Sequence, residues 1–228
     1  MLTHNTIIFD LDGTLIDPLA DAAAALNHML RCFNLPERTH TEVAAGMGRG
    51  IRNLVAVSLP KVPLAEGCDT PDCGISVDEA EKVYRDYYGG HFLDSTTPYD
   101  GIIKMLTALK AAGAKTAVLS NKAHEYTVAI TDALFPGLID LSLGETPGVP
   151  LKPDPAPVKL ALERLGASAD TAVYIGDTDV DMQTAANSGL HCVTCAWGLR
   201  GREFLLLHGA DERFLADTPA DVLRILTR

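Results

Sequence analysis

Two different spacings of apolar residues divide the chain into strand-like and helix-like segments. Residues 6–9 form a short β-branched and aromatic run that stops at Asp10, and such a run predicts a strand that ends in a turn. Apolar residues then recur every three or four positions from Leu19 onwards, which predicts a helix with Asp17 as its N-cap and Pro18 as its first residue. The pattern therefore begins with a strand that leads directly into a helix.

Residues from about 35 to about 95 have helical spacing and no strand pattern. The predicted helices cover 41–59 and 77–93, and a segment rich in Pro, Gly and Cys separates them. After Gly101, strands alternate with helices of about 10 to 12 residues, which is typical of a parallel sheet covered on both faces. The predicted elements are helix 102–112, strand 115–120, helix 123–134, strand 139–143, helix 155–165, strand 171–175, helix 180–188 and strand 191–195.

Together these elements predict a doubly wound parallel α/β sheet with an inserted α-helical domain. We place the core domain at 1–16 and 96–228, and the helical domain at 17–95. A chain of 228 residues is long enough for one full core plus a small accessory domain. Its 47% hydrophobic and 21% charged residues fall in the range of globular proteins, which excludes a disordered chain.

The chain is acidic, with 30 Asp and Glu residues against 19 Lys and Arg residues and a formal net charge of −11. This balance argues against a nucleic acid or an anionic membrane as a partner, because such binding depends on positive charge. No apolar run approaches the ~20 residues of a membrane-spanning helix, and the N-terminal residues lack the basic segment of a signal peptide. We therefore expect a cytoplasmic protein, either a monomer or a homodimer.

The five cysteines, an odd number, do not fit a secreted disulfide framework. Cys192 and Cys195 form a C-x-x-C within a predicted strand, and no second such pair is present to complete a tetrahedral zinc site. Cys68 and Cys73 flank a stretch rich in Gly, Pro and Asp. Two alternatives remain for this pair: two free thiols in a loop, or a local disulfide under oxidation. No zinc site is predicted.

Polar residues collect where four of the predicted strands and loops reach one edge of the sheet, the edge at which open parallel α/β sheets bind ligands. Carboxylates gathered there would repel one another without a cation, and hard oxygen ligands suit Mg²⁺. Lysines and a hydroxyl supply the charge and donors that a phosphoryl group requires. Each residue alone is more typical of a turn, a helix cap or a solvated charge, but together they predict phosphoryl transfer. They are Asp10, Asp12, Ser120, Asn121, Lys122, Lys152, Asp177 and Asp181.

Four short motifs resemble, in order and spacing, those of the haloacid dehalogenase superfamily. They are Asp10-Leu-Asp12-Gly-Thr14-Leu, Ser120-Asn-Lys122, Lys152-Pro-Asp-Pro155 and Gly176-Asp177-Thr-Asp-Val-Asp181. The resemblance spans residues from about 7 to about 198, and the inserted helical block resembles the cap domain of that superfamily. Within the superfamily the sequence is most similar to the phosphoglycolate phosphatases, through residues 15–17, 46–49 and 99–101.

The resemblance implies a role for each matched residue. Asp10 is the expected nucleophile, which forms an aspartyl-phosphate, and Asp12 is the expected general acid and base. Lys152 is expected to neutralise the phosphoaspartate. The expected Mg²⁺ ligands are the Asp10 carboxylate, the Asp12 carbonyl and Asp177. Asp181 is expected as a further ligand or as an orienting residue.

The remaining matched residues are expected to bind the substrate or to orient the groups that do. Ser120 and the backbone of Asn121 are expected to hold phosphate oxygens, and Lys122 is expected to add positive charge. Thr14 is expected to orient Asp12. Dehalogenases of the same fold lack a carboxylic acid at the position of Asp12, so its presence here favours phosphoryl chemistry.

The expected activity is Mg²⁺-dependent hydrolysis of a small phosphomonoester, with 2-phosphoglycolate as the first candidate. Arg49 and Arg52 are candidates to meet a substrate carboxylate, although solvated helix residues would give the same pattern. Three alternatives stay open: a phosphomutase similar to β-phosphoglucomutase, a phosphatase for pyrophosphate, a sugar phosphate or a nucleotide, and a non-catalytic relative that binds a phosphorylated ligand. The intact Asp10, Asp12 and Lys152 argue against the last of these.

Overall fold

The computed structural model describes residues 2–60 and 74–227. The chain divides into two compact units: Met1–Asp17 together with Thr97–Arg228, here called the core unit, and Pro18–Thr96, here called the helical unit. In the described part of the chain, no helix is long and apolar enough to cross a membrane.

The core unit contains a six-stranded parallel sheet and a two-stranded antiparallel ribbon. In chain order the strands are β1 (Thr6–Phe9), β2 (Ile16–Asp17), β3 (Thr97–Pro98), β4 (Lys115–Ala123), β5 (Leu141–Glu145), β6 (Ala172–Gly176), β7 (His191–Cys195) and β8 (Leu215–Ala216). The order across the sheet is β5-β4-β1-β6-β7-β8, and β2 pairs with β3. Helices flank this sheet, which confirms the predicted α/β fold.

Within residues 2–60 and 74–227, four helices belong to the helical unit and six to the core unit. They are α1 (Leu19–Cys32), α2 (His40–Gly46), α3 (Ile51–Ser58), α4 (Val77–His91), α5 (Ile102–Ala111), α6 (His124–Leu134), α7 (Ala156–Leu165), α8 (Asp179–Asn187), α9 (Gly201–Leu207) and α10 (Pro219–Leu226). On one face of the sheet, α7 and α8 pack with Ile8, Leu119 and Tyr174 in a continuous apolar cluster.

The central strand β1 determines where the polar residues meet. Its four residues are buried, and Phe9 pairs with Val118 of β4 and with Ile175 of β6. Because the three strands are parallel and in this register, the residues that follow Phe9, Val118 and Ile175 reach the same edge of the sheet. Asp10 is the first residue beyond β1 at that edge.

In the helical unit, a buried carboxylate joins the two ends of the segment. Asp21, on the first turn of α1, is 3% exposed. It accepts hydrogen bonds from the backbone N–H groups of Ser95 and Thr96, at 2.8–3.1 Å, and from the Thr96 hydroxyl at 2.7 Å. Since a buried carboxylate is costly without partners, these bonds stabilise the start of α1 against the end of the unit.

Two helix predictions differ from the structure. Asp17 is not the N-cap of α1: it lies in β2, and the cap residue is Pro18, which has no side chain to accept a hydrogen bond. The predicted helix over 41–59 is two helices, α2 and α3. Gly48 and Gly50 separate them with φ of 99° and 86°, a left-handed backbone that an α-helix cannot accommodate.

The strand predicted at 115–120 is longer in the structure. β4 continues to Ala123, so Ser120, Asn121 and Lys122 lie within the strand and not beyond it. The pairing with β5 is irregular between Leu119 and Ala123, which places these three residues at a break in the regular ladder. Cys68 and Cys73 lie outside the described residues.

Candidate active site

Asp10 lies at the centre of a buried polar cluster. Its backbone N–H donates to the carbonyl of Ile175 at 2.8 Å, which fixes it at the end of β1. The chain then turns sharply, with Leu15 N donating to Leu11 O at 2.9 Å. Only 5% of Asp10 is exposed, so its carboxylate depends on protein partners or on a ligand for charge compensation.

Lys152 is the main protein partner of Asp10. Its Nζ donates to Asp10 Oδ1 and to Asp181 Oδ1, both at 2.8 Å. Burial acts to lower the pKa of Lys152, but the charges of Asp10 and Asp181 raise it well above its ordinary value, so the ammonium keeps its charge. Burial and the charge of Asp181 raise the pKa of Asp10 to about 7, although Lys152 acts to lower it.

Three acids form a group that can hold a metal ion. Asp10, Asp177 and Asp181 each offer one carboxylate oxygen, and these atoms lie within 4.8 Å of one another. Burial, and then the charges of Asp181 and Asp10, raise the pKa of Asp177 well above its ordinary value. Such mutual repulsion in a buried place is relieved by a cation, and hard carboxylate oxygens favour Mg²⁺.

The shape of the protein around Asp177 also fits a metal ligand. Thr14 Oγ1 donates to Asp177 Oδ1 at 3.1 Å, and Leu199 N donates to Oδ2 at 2.7 Å. A Cβ atom on Gly13 or on Gly198 would lie 2.3–2.4 Å from Asp177 Oδ2, so two glycines keep this carboxylate closely surrounded by backbone. Its remaining lone pairs are available to an ion.

Asp181 differs from Asp177 because the protein already uses its acceptor positions. A capping box at the start of α8 directs Thr178 N and Thr178 Oγ1 to Asp181 Oδ2, at 3.1 Å and 2.6 Å. Lys152 Nζ and the Tyr174 hydroxyl donate to Asp181 Oδ1, at 2.8 Å and 3.2 Å. A carboxylate accepts about four hydrogen bonds, and these four donors account for them.

The second aspartate of the first motif has its own lysine. Lys122 Nζ donates to Asp12 Oδ2 at 2.8 Å, and both side chains are largely buried. Asp12 Oδ1 is buried and accepts no hydrogen bond from the residues that the structure describes. A buried carboxylate oxygen without a donor is costly, and a ligand or a water molecule would satisfy it.

Two residues of β4 complete the edge of the site. Ser120 Oγ accepts a hydrogen bond from Lys122 N at 3.1 Å, which leaves the hydroxyl proton for another acceptor. The Asn121 side chain is bonded to the backbone of Lys152 in both directions, at 3.0 Å and 2.8 Å. Asn121 therefore connects β4 to the loop that carries Lys152.

The balance of charge gives a further reason to expect a cation. The predicted site contains four carboxylates, those of Asp10, Asp12, Asp177 and Asp181, and two buried lysines. Two negative formal charges remain, which one divalent ion would compensate. Without such an ion, an anionic substrate would meet a net negative site.

One predicted contact differs in the structure, and two of the predicted residues belong to the helical unit. The Thr14 hydroxyl, expected to orient Asp12, donates its proton to Asp177 Oδ1. Arg49 lies exposed between α2 and α3 in the helical unit. Arg52 forms ion pairs with Asp78 at 2.6 Å and with Glu81 at 3.1 Å, contacts that stabilise the helical unit itself.

Three contributors to the cluster were not predicted from the sequence. Tyr174 lies inside an apolar strand, and only the need of a buried hydroxyl for a partner could have singled it out. Gly198 and the N–H of Leu199 follow β7 at the same edge of the sheet. A backbone group leaves no side-chain signal, so these two were not visible in the pattern of residue types.

Comparison with known proteins agrees with this geometry. A family model described as haloacid dehalogenase-like hydrolase matches residues 7–195. The phosphoglycolate phosphatase of Aquifex aeolicus is 32% identical, over 96% of this chain and 95% of the relative. That of Caulobacter vibrioides is 31% identical, over 99% of this chain and 94% of the relative. The crystal structure of a protein from Lactobacillus delbrueckii subsp. bulgaricus, provisionally assigned as a phosphoglycolate phosphatase, covers 100% of both chains with 30% identity and a TM-score of 0.90.

These matches cover the segments that carry the cluster. The matched range begins within β1, just before Asp10, and ends at Cys195, the last residue of β7. Relatives of this similarity along nearly the whole chain share both fold and reaction class with it. The chain belongs to the haloacid dehalogenase-like hydrolase family and is a phosphatase.

Proposed function

We propose that the protein hydrolyses 2-phosphoglycolate to glycolate and inorganic phosphate, with Mg²⁺, through an aspartyl-phosphate on Asp10. The observation that carries the proposal is the buried contact of 2.8 Å between Lys152 Nζ and Asp10 Oδ1, beside two further acids. A nucleophilic carboxylate next to a fixed cation is what covalent phosphoryl transfer requires. The names of the two full-length relatives, both phosphoglycolate phosphatases, support this substrate.

The first step transfers the phosphoryl group to Asp10. Lys152 holds Oδ1, while Oδ2 accepts no hydrogen bond from the described residues, so we assign Oδ2 as the attacking atom. The bond from this oxygen to phosphorus forms as the bond from phosphorus to the alkoxide breaks. Asp12 supplies a proton to the departing alkoxide, which becomes the glycolate hydroxyl.

The second step releases phosphate. Water attacks the phosphorus of the aspartyl-phosphate, and Asp12, now a carboxylate, takes a proton from that water. The bond between phosphorus and Asp10 breaks, which restores the carboxylate and yields inorganic phosphate. Lys152 stays beside Asp10 throughout and offsets the negative charge on the transferred group.

The proposed Mg²⁺ ligands are the carboxylates of Asp10 and Asp177 and the carbonyl of Asp12. Because the protein uses the acceptor positions of Asp181, we assign it the role of orienting Lys152. When bound, Mg²⁺ supplies positive charge against the carboxylates and the phosphoryl oxygens.

Other predicted residues keep supporting roles in the proposal. Ser120, whose hydroxyl proton has no acceptor among the described residues, binds a phosphate oxygen together with the backbone of Asn121. Lys122 positions Asp12, and Arg49 recognises the substrate carboxylate. The helical domain over 17–95 serves as the cap that sets specificity. The free thiols of Cys32, Cys192 and Cys195 suit the reducing cytoplasm, where we place the reaction of a monomer or homodimer on a small metabolite.

A hydrolysis panel tests the proposal. The purified protein is given 2-phosphoglycolate, pyrophosphate, sugar phosphates and nucleotides, with Mg²⁺ and then with a chelator, and phosphate release is measured. We expect 2-phosphoglycolate to have the highest kcat/KM, no turnover with the chelator, and none for Asp10→Asn. The exposed Asp170→Asn, which precedes β6 at the opposite end of that strand from Gly176, is the matched control. Activity of Asp10→Asn equal to that of the parent would overturn the assignment of the nucleophile.

The same panel separates the phosphatase from a phosphomutase. A mutase would use the same pair, Asp10 and Asp12, but would return the phosphoryl group to a sugar. Conversion of a sugar 1-phosphate into the 6-phosphate, without release of inorganic phosphate, would favour the mutase over the proposed hydrolase.

A further inference from the structure

A buried tyrosine hydroxyl contacts the lysine that holds the nucleophile. Tyr174, on β6, is fully buried in the apolar cluster between the sheet and its helices. Its oxygen is 3.0 Å from Lys152 Nζ and 3.2 Å from Asp181 Oδ1. The proposed reaction gives this hydroxyl no role.

The number of protons on Lys152 makes this contact significant. A lysine ammonium has three N–H donors. In the structure they go to Asp10 at 2.8 Å, to Asp181 at 2.8 Å and to the Tyr174 oxygen at 3.0 Å. Since Lys152 is 6% exposed, a donor that lost its acceptor here would stay unsatisfied.

Tyr174 also donates a hydrogen bond to Asp181, which is itself an acceptor for Lys152. Its own proton is directed to Asp181 Oδ1, the oxygen that also accepts from Lys152. Burial raises the pKa of Tyr174 well above its ordinary value, so the hydroxyl keeps that proton. Lys152, Tyr174 and Asp181 thus form a closed triangle in which each side chain holds the other two.

We infer that Tyr174 is a positioning residue for the phosphoryl transfer, fixing Lys152 Nζ against Asp10 by accepting its third hydrogen bond and by anchoring Asp181. This inference rests on the proposed function, in which Lys152 offsets charge on the transferred group. A fixed ammonium stabilises the transition state more than the ground state, because the surrounding groups need no rearrangement when charge develops. Tyr174 should therefore influence kcat more than KM.

The alternative is that the hydroxyl only stabilises the fold. Tyr174→Phe removes one oxygen and keeps the ring, so the apolar packing stays. The matched control is Thr116→Val, which removes another buried hydroxyl, bonded to Leu138 O at 2.9 Å, at the opposite end of β4 from Lys122. A role confined to stability gives the same result for both variants: a lower melting temperature and an unchanged kcat.

Both variants and the parent are measured with p-nitrophenyl phosphate as well as with 2-phosphoglycolate. We expect Tyr174→Phe to lower kcat about tenfold or more with either ester, and to change KM less than about twofold. Inhibition by orthovanadate, which adopts the five-coordinate geometry of the transferring phosphorus, should weaken about tenfold, and inhibition by inorganic phosphate should change little. Thr116→Val should keep kcat and both inhibition constants.

The outcomes distinguish the inference from the proposed function. A parent protein that hydrolyses neither ester overturns both. An active parent with a Tyr174→Phe variant of equal kcat and equal vanadate inhibition overturns the role of Tyr174 and leaves the proposed function intact. If Tyr174→Phe loses part of its folded population, the ratio of the vanadate and phosphate constants still decides, because a ratio of inhibition constants does not depend on the amount of active protein.

Discussion

The side chain of Asn121 and the backbone of Lys152 exchange two hydrogen bonds. Asn121 Nδ2 donates to Lys152 O at 3.0 Å, and Lys152 N donates to Asn121 Oδ1 at 2.8 Å. Both residues are buried. Because the Lys152 side chain then reaches Asp10 and Asp181, this amide holds the loop in the position from which the ammonium contacts the nucleophile.

Asn121→Ala should therefore reduce both stability and turnover. Removal of the amide leaves a buried N–H and a buried C=O of Lys152 without partners, which costs about 1 to 3 kcal/mol of unfolding free energy. The released loop should displace Lys152 from Asp10, and kcat should fall by about tenfold or more. Urea unfolding and initial rates with p-nitrophenyl phosphate measure the two effects.

Asn27→Ala is the matched control, because Asn27 makes the same pair of bonds elsewhere. Its Nδ2 donates to Arg38 O at 2.9 Å, and Arg38 N donates to its Oδ1 at 2.8 Å, within the helical unit. We expect Asn27→Ala to lower stability and to keep kcat within about twofold of the parent. Equal losses of kcat in both variants would show that Asn121 acts through stability alone.

Asp12→Asn should lower activity to an extent that depends on the leaving group. The asparagine amide has the shape of the Asp12 carboxyl group and keeps one oxygen that can accept from Lys122. It cannot act as a general acid. General acid catalysis contributes about 10²- to 10⁴-fold, and most of it is needed for a poor leaving group such as an alkoxide. We expect a large loss of kcat with 2-phosphoglycolate and a much smaller loss in the first step with p-nitrophenyl phosphate.

The measurement is a burst of p-nitrophenol in rapid mixing. If Asp12 also activates the water of the second step, the variant should release one equivalent of p-nitrophenol quickly and then stall as the aspartyl-phosphate. Equal losses with both esters, without a burst, would contradict a proton-transfer role for Asp12. Asp17→Asn, on β2 of the same unit, is a suitable comparison variant.

The sequence predicted the order of the strands and helices well, because apolar spacing is a local property. The strands at 6–9 and 191–195 were predicted to the residue and are confirmed. The predicted helix over 41–59 was wrong, since Gly48 and Gly50 interrupt it with positive φ while the apolar spacing continues across them. Local spacing reports which residues are buried, and it does not report the backbone angles between them.

Contacts between distant residues were harder to predict. The motifs indicated that Lys152 and Asp10 belong to one site, but not that Thr14 donates to Asp177 or that Tyr174 joins Lys152. These bonds depend on the register of β1 against β6 and on side-chain rotamers, which no single segment determines. No strand or helix was predicted after Cys195, although β8, α9 and α10 lie there.

Gly198→Ala should weaken the binding of Mg²⁺. A Cβ at this position would lie 2.4 Å from Asp177 Oδ2 and 2.4 Å from Gly13 O, closer than any real contact, so the carboxylate or the backbone must move. Displacement of a metal ligand typically costs 10-fold or more in affinity, and we expect about that loss. Titration of Mg²⁺ by calorimetry on the enzyme without substrate measures it.

Gly90→Ala is the control for a glycine substitution as such. Gly90 lies in α4, and a Cβ there would meet nothing within 4 Å. Alanine is favoured over glycine in a helix by about 1 kcal/mol, so this variant should be more stable and should bind Mg²⁺ as the parent does. Unchanged Mg²⁺ affinity in Gly198→Ala would show that Asp177 is not a ligand of the ion.

The raised pKa of Asp10 predicts how the stability of the metal-free protein depends on pH. In the folded protein burial raises the Asp10 pKa to about 7, and in the unfolded chain the group titrates near pH 4. The folded state therefore holds a proton that the unfolded state releases. The stability that this proton provides is fully present below about pH 4 and is lost as the pH rises through about 7, with an upper limit of about 4 kcal/mol.

Asp10→Asn has an amide that does not titrate, whereas the other acids are the same in both proteins. The difference in unfolding free energy between parent and variant therefore reports the titration of Asp10 alone. We expect the variant to gain stability relative to the parent between about pH 5 and about pH 8, in urea unfolding with a chelator. Mg²⁺ should reverse the difference at the higher pH, because the ion stabilises the ionised carboxylate of the parent and loses that ligand in the variant. If the difference in unfolding free energy between variant and parent is the same at about pH 5 and about pH 8, Asp10 is ionised at both, stabilised by Lys152 alone.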